Sequence, residues 1–470
     1  MTADELPPHF HKFDRISEKD LVPDGDYVTV VPDWPAPEGT EVSYLNAGVF
    51  RRYKMIDGVW RIMGGLPSAT TATFVIGPSS NSDSDSYDYV TDGIADDQEI
   101  QAAIDALPST GGRIVFREGT YTIASRILIK KNGVTLQGQG AGTLIQLASS
   151  YNDDVFKLGD TSTQYNDVVF SDFYFDMTNQ TSVASYVIAN NTTKSIINLL
   201  VTRCRFMNMT GNAIDTRQQA VISNNYFYDW DGTGINGSVF NSCVVITQGF
   251  VINNYFESVE TDVNYIFGSL NVSILGNQFA IPNSYNASVF SAFADNVNDN
   301  IFVLGTSAGS SCRVIQGCIN VSSNRITFGA SANTASIGIG TCENVVGNRI
   351  HGPGVGIHNC NHAIGNYVSD AQAEGIKLSA LNTKAIGNIV ESVGQSANDT
   401  FSAILITTIT KCIVSGNTIF SNVSNKPKYG IREDSASVGP SIIANNAISD
   451  VVTAPISTQN GSSLTDNNLT

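Results

Sequence analysis

The sequence predicts an all-β solenoid, a parallel β-helix, and two observations carry that prediction. A short phrase, apolar-x-(Gly/Asn/Ser/Asp)-Asn-x-apolar, recurs from the middle of the chain to its last residues. It reads Ile222-Ser-Asn224-Asn225-Tyr-Phe227, Ile252-Asn253-Asn254-Tyr-Phe256 and Leu275-Gly276-Asn277-Gln-Phe279. It returns around Asn324, Asn348, Asn366, Asn388, Asn417, Asn446 and Asn467. Successive anchors are 29, 23, 47, 24, 18, 22, 29, 29 and 21 residues apart, and the 47 is close to two periods with a degenerate copy inside. A repeat of this length cannot bury a core alone and must stack on its neighbours. The second observation is a period of two around each anchor: Val346, Asn348 and Ile350 alternate with Val345, Gly347 and Arg349, which indicates strand rather than helix. An Asn at one place in every coil can tolerate a left-handed backbone and pass amide hydrogen bonds along the stack.

Composition agrees. Of 470 residues 42% are hydrophobic and only 15% charged, with abundant turn-forming residues, which suits a β-rich chain. The net charge of −17 argues against nucleic acid and anionic membranes as partners. No apolar run is long enough to insert in a membrane. Met1 to Asp20 lacks the basic-then-apolar pattern of a signal peptide. The seven cysteines show no CxxC spacing, so neither zinc nor a disulfide framework is signalled, and no cofactor is expected. Cys318, Cys342 and Cys360 each lie six residues before an anchor and are expected to stack as buried thiols.

Taken in order, residues 1–65 form a small β-module. Tyr27 to Val31 reads as a strand, and Val49 to Ile56 and Val59 to Met63 form a hairpin about Asp57-Gly58. Residues 66–90 read as a linker with one short strand, Thr73 to Ile76, and an acidic loop. Asp83, Asp85, Asp88 and Asp92 in and beside that loop lack the spacing of a calcium loop. The solenoid occupies 91–470. It opens with a helix whose apolar face is Ile100, Ile104 and Leu107, stopped by Pro108, with Asp96 and Glu99 as a capping box. That helix is expected to cover the first open strand edges. Strands follow at Gly112 to Phe116, Gly119 to Ile123, Ile127 to Ile129 and Val134 to Leu136.

The run Asp92-Gly-x-x-Asp96-Asp97-x-x-Ile100-Gln-x-Ala103-Ile104, then Gly111-Gly-x-Ile-Val-Phe116, Glu118-Gly-Thr-Tyr121 and Gly133-Val-Thr-Leu136-x-Gly138-x-Gly140, resembles the start of the pectate-lyase-like right-handed β-helix superfamily. That superfamily includes polysaccharide lyases, galacturonases, uronan epimerases and viral tailspike depolymerases. The resemblance implies a right-handed helix that meets glycans on one long face. In the tailspike case it also implies a homotrimer.

Glycoside hydrolysis needs two carboxyl groups, one acid and one nucleophile or base, so acids at equal offsets from the anchors are the candidates. Asp231 lies six residues after Asn225 and Glu260 six after Asn254, which would face them across adjacent coils. Asp229, Glu257 and Asp262 surround them, and Tyr228, Trp230 and Tyr255 are candidate platforms for sugar rings. Asp231, Glu260, Asp229 and Glu257 are therefore the candidate catalytic residues, with Trp230, Tyr228, Tyr255 and Asp262 as substrate contacts and no metal. A second line holds His351, Asp370, Glu374, Glu391 and Lys377. It lacks the Gly-His-Gly of galacturonases, and the Asp-Pro-His of alginate epimerases is absent too. His351, His358 and His362 lack metal-ligand spacing. Arg325 and Arg349 each follow an anchor by one residue and should stack, as a contact for anionic sugar or as solubilising surface.

Three readings remain. The first is a virion spike or tail-fibre protein, extracellular when functional, that recognises a cell-surface polysaccharide, with or without cleaving it, and joins other virion proteins through residues 1–65. The second is a free polysaccharide lyase or glycoside hydrolase, and the third a noncatalytic structural spike.

Overall fold

The structure is a computed structural model. It describes all residues except 1–40, 47–48, 57–58, 66–71, 150, 161, 180–184, 191–195, 210–211, 231–241, 258–263, 269–270, 282–293, 306–311, 330–333, 381, 397–399, 408–410, 435–439 and 460–462. The expected strand at Tyr27 to Val31 lies outside the described residues. Glu41–Asn46, Val49–Ile56 and Val59–Gly65 form an antiparallel three-stranded sheet, with the hairpin where the sequence places it.

From Thr73 onward every described strand pairing is parallel, as a stack of coils requires. One coil shows the plan. Asn344–Val346 lies in a 21-stranded sheet, Arg349–His351 in a 14-stranded sheet and Val355–His358 in a 7-stranded sheet, and each pairs with its counterpart one coil away. The chain is a parallel β-helix.

The helix Asp97–Ala106 buries Ile100, Ala103 and Ile104, as expected. The Asp96 carboxylate, however, makes no cap to the helix. It accepts the N–H of Gly93 at 2.7 Å and of Thr122 at 2.6 Å, while Asp97 accepts the N–H of Ala124 at 2.7 Å. Gln101 accepts from Leu128 N–H at 2.7 Å and donates to its carbonyl at 3.0 Å. The polar residues of this motif therefore satisfy the open edges of Gly119–Ile123 and Ile127–Ile129 with side chains instead of another strand.

The anchors form a continuous internal ladder. Each amide Nδ2 donates to the Oδ1 of the next anchor at 2.9–3.0 Å along Asn225, Asn254, Asn277, Asn300, Asn324, Asn348, Asn366, Asn388, Asn417, Asn446 and Asn468. Asn300 is the degenerate copy inside the long gap. The last rung is Asn468 rather than Asn467. The left-handed residue is also the one before each anchor, not the anchor: φ runs from +50° at Asn467 to +68° at Gly416. That explains why the preceding position is held by Gly, Asn, Ser or Asp, the types that enter this region at least cost. The bend shifts the phase of alternation by one, so Val345, Asn348 and Ile350 point inward while Val346 is 41% exposed. The simple period of two groups Val346 with Asn348 and Ile350, and the left-handed Gly347 separates it from them.

Two residues beyond each anchor lies a second internal column. Phe206, Phe227, Phe256, Phe279 and Phe302 stack with centroids 4.7–4.9 Å apart and planes within 9° of parallel. Such pairs contribute about 0.5–1.5 kcal/mol each beyond the area they bury. Toward the C-terminus Ile326, Ile350, Val368, Val390, Ile419 and Ile448 replace them, all buried. Cys318, Cys342 and Cys360 stack as predicted. The N–H of Cys318 donates to Cys342 Sγ at 3.4 Å, and that of Cys342 to Cys360 Sγ at 3.4 Å. These three thiols, with Cys204, Cys312 and Cys412, are buried and form no disulfide.

Candidate functional site

Side chains at one and three residues after each anchor leave the 14-stranded sheet on its outward face, opposite the phenylalanine column. The sheet register fixes their neighbours. Tyr226 pairs with Tyr255, Phe227 with Phe256 and Tyr228 with Glu257. The rings of Tyr226 and Tyr255 stack at 5.1 Å and 8°, and Tyr228 lies 6.0 Å from Tyr226 at 15°. The Tyr226 hydroxyl donates to Glu257 Oε2 at 2.8 Å. Desolvation first, then that hydrogen bond, pushes the hydroxyl up to about 12. The Tyr226 and Tyr255 rings thus lie face to face, half-buried, with a carboxylate held at the Tyr226 hydroxyl.

Of the eight residues predicted for the site, the structure places Tyr228, Tyr255 and Glu257 together. Asp229 and Trp230 continue the strand Tyr226–Trp230. Asp231, Glu260 and Asp262 lie outside the described residues. Equal offsets from Asn225 and Asn254 stay in register through the third residue, which is the premise on which the Asp231 and Glu260 pairing rests. Tyr226 is not among the predicted residues. The offset rule that paired the acids finds it at once, because it and Tyr255 both follow an anchor directly.

The second predicted line divides. His351, Asp370 and Glu391 share the outward side of the 14-stranded sheet. His351 Nδ1 lies 3.0 Å from Asp370 Oδ2 and 3.1 Å from Ser369 Oγ. Glu391 accepts from the Tyr367 hydroxyl and from Asn422 Nδ2, the latter at 2.7 Å. Glu374 and Lys377 belong instead to the side of the 7-stranded sheet, where burial pushes the Glu374 carboxyl up. The three C-terminal histidines separate likewise, with His351, His358 and His362 in three different sheets. Arg325 and Arg349 pair in register as predicted, both exposed, and the Arg349 guanidinium sits 5.0 Å from the centre of the Tyr367 ring.

No protein-family model and no curated protein matches the sequence. Among solved structures the chain is similar to the A-module of a mannuronan C-5 epimerase of Azotobacter vinelandii, at 16% identity and TM-score 0.39 over 82% of this chain and 100% of that one. It is similar to the tailspike protein of E. coli bacteriophage HK620 in complex with a pentasaccharide, at 14% and 0.45 over 78% and 75%. It is similar also to a DFA-IIIase of Arthrobacter chlorophenolicus A6 without its lid, at 14% and 0.39 over 82% and 99%. At such identities and scores these likenesses assign no residue a role, and the fold rests on the chain's own strand pairing. Parallel coils, a helix docked on the first strand edges and a buried asparagine ladder make this chain a parallel β-helix.

Proposed function

We propose that this chain is a glycan-recognition protein whose binding surface is the outward face of the 14-stranded sheet. The stacked pair Tyr226 and Tyr255 carries the reading. Sugar rings present apolar C–H faces that pack against aromatic carbon, here the ring edges and faces that the stacked pair leaves uncovered, and a carboxylate at the ring edge accepts from sugar hydroxyls. Tyr228 and Glu257 provide that setting, and Trp230 extends the aromatic strand. In this reading Asp231 and Glu260, with Asp229 and Glu257, are the candidate acids for cleavage, and Asp262 is a further sugar contact.

A virion spike or tail fibre suits the combination of an N-terminal module, of which residues 41–65 hold a small antiparallel sheet, and a long β-helix. The module would attach to other virion proteins, the β-helix would face the cell-surface polysaccharide, and three copies would assemble. A free lyase or hydrolase and a noncatalytic spike are the competing readings. Incubation with host surface polysaccharide, following both binding and chain length, separates them. Binding with shortening that Asp231→Asn and Glu260→Gln abolish supports catalysis at those acids. Binding without shortening leaves a recognition spike. Binding unchanged in Tyr226→Ala/Tyr255→Ala, at unchanged melting temperature, removes the face assigned here.

A further inference from the structure

We propose that Arg325 and Arg349 form an anion-binding subsite that selects a polysaccharide bearing carboxylate or sulfate groups and lying along the helix axis. The inference rests on reading the outward face of the 14-stranded sheet as glycan-binding, and it names the chemical class of the glycan.

The argument begins from a local cost. The two arginines occupy directly paired positions on neighbouring parallel strands. Those strands lie about 4.8 Å apart, and like charges placed directly opposite destabilise a sheet. In a chain of 43 acidic and 26 basic residues, a neutralising carboxylate would be the expected neighbour. Among the described residues neither guanidinium has one. The nearby acids are engaged elsewhere. Asp370 is held by His351, and Glu391 by Tyr367 and Asn422.

Arg349 nevertheless has a partner. The Arg349 guanidinium lies over the Tyr367 ring, 5.0 Å from its centre, a contact that favours holding the cation at this face. Two residues beyond Arg349 on the same strand, His351 emerges on the same side and is about half exposed. Arginine is the side chain suited to planar, two-point recognition of a carboxylate, and it binds sulfate oxygens by the same geometry.

Position relative to the tyrosines supplies the length of the ligand. Two strands, Gln278–Ile281 and Ile301–Leu304, separate Tyr255 from Arg325 in the sheet order. The offset is thus three strand spacings, about 14 Å. The outward residues between them are Gln278, Ala280, Ile301 and Val303, with no acid among them. Among the described outward residues of these two strands a polyanion meets no fixed negative charge, and Ile301 and Val303, 39% and 51% exposed, offer apolar contact. An oligosaccharide of several rings would rest on the tyrosines at one end and place an anionic group on the arginines at the other.

The test measures binding of the full chain to immobilised polygalacturonate, dextran sulfate and neutral dextran, comparing wild type, Arg325→Gln/Arg349→Gln and Tyr226→Ala/Tyr255→Ala. The expected result is preferential binding to at least one anionic polymer, weakened by added salt and lowered at least about tenfold in the arginine variant. Preference for polygalacturonate identifies a carboxylate ligand, and preference for dextran sulfate a sulfate ester. The arginine variant should melt no lower than wild type, because it relieves the repulsion. Nonspecific attraction is disfavoured by the net charge of −17, so binding of a polyanion at all counts for a local site. Three outcomes overturn the proposal: no binding to either anionic polymer, equal binding of neutral dextran, or anionic binding that survives loss of both arginines. The two levels remain separable. Glycan binding that depends on the tyrosines but not the arginines overturns only the anion subsite. Polyanion binding that depends on the arginines but not the tyrosines overturns the wider face.

Discussion

Asn254 donates its side-chain amide to Asn277 Oδ1 at 3.0 Å, and the same oxygen accepts the Asn254 backbone N–H at 2.9 Å. Asn277 in turn donates to the Val251 carbonyl at 2.8 Å and to Asn300 Oδ1 at 3.0 Å. One carboxamide thus satisfies groups on coils above and below it, and only a side chain with both an acceptor and two donors can do so. All of this occurs at residues with 0–1% exposure, where an unmade hydrogen bond costs about 1–3 kcal/mol.

Asn277→Asp should therefore destabilise the chain by about 3 kcal/mol or more near neutral pH, because the new carboxylate cannot donate and is buried beside the Asn300 oxygen. Burial would raise the carboxyl's folded-state pKa above its unfolded value. Its deficit is then smallest below the unfolded value and grows as pH rises through the folded one. Thermal denaturation of wild type and variant across acid to neutral pH checks this, and a pH-independent difference would contradict it.

At the other end of the stack, Asp97 and Gln101 close strand edges that no strand covers. Asp97→Ala leaves the Ala124 N–H without its acceptor, and Gln101→Leu strips both backbone groups of Leu128. Each variant should lose about 1–3 kcal/mol and expose a pairing template, so light scattering on mild heating should rise before the main melting transition.

Much of this was legible in the sequence, and the failures share a cause. The repeat located the coils, the stacked cysteines and the stacked arginines because those depend only on counting from an anchor. The tyrosine pair was equally countable. The roles of Asp96, Asp97 and Gln101 were not, since their partners Thr122, Ala124 and Leu128 belong to strands about 27 residues away whose edges meet the helix only in space. Val346 is grouped with Asn348 and Ile350 by counting alone because a left-handed residue shifts a two-residue period by one, and sequence alone gives the period without the bend.

Tyr226 gives a pH signature to the candidate face. Its hydroxyl, raised to about 12 by desolvation and by Glu257, compares with an ordinary tyrosine value near 10. A folded-state value above the unfolded one means that the neutral hydroxyl's contribution is fully present below pH ~10 and is lost as pH rises toward ~12. Tyr226→Phe should flatten the alkaline loss of stability in that window relative to wild type. Ultraviolet titration of the two proteins should differ by one late-ionising phenol. A difference spectrum that titrates near 10 would refute the Tyr226–Glu257 bond.

Gly356 tests the packing opposite the binding face. A Cβ there would come within 2.4 Å of Val368 Cγ1 and 2.4 Å of the Gly375 carbonyl oxygen. Gly338 meets the same pair of obstacles one coil earlier, in Ile350 and the Gly356 carbonyl, and Gly430 meets Ile448 and the Pro455 carbonyl. Absence of side chains at these positions lets the 7-stranded sheet approach the column of Ile and Val in the C-terminal coils. Gly356→Ala should cost about 3 kcal/mol, since overpacking a close-packed core forces backbone displacement. Shortening the opposing side chain removes only one of the two clashes. Gly356→Ala/Val368→Ala should therefore remain less stable than Val368→Ala alone, and equal stability of those two proteins in chemical denaturation would show that the carbonyl contact is not limiting.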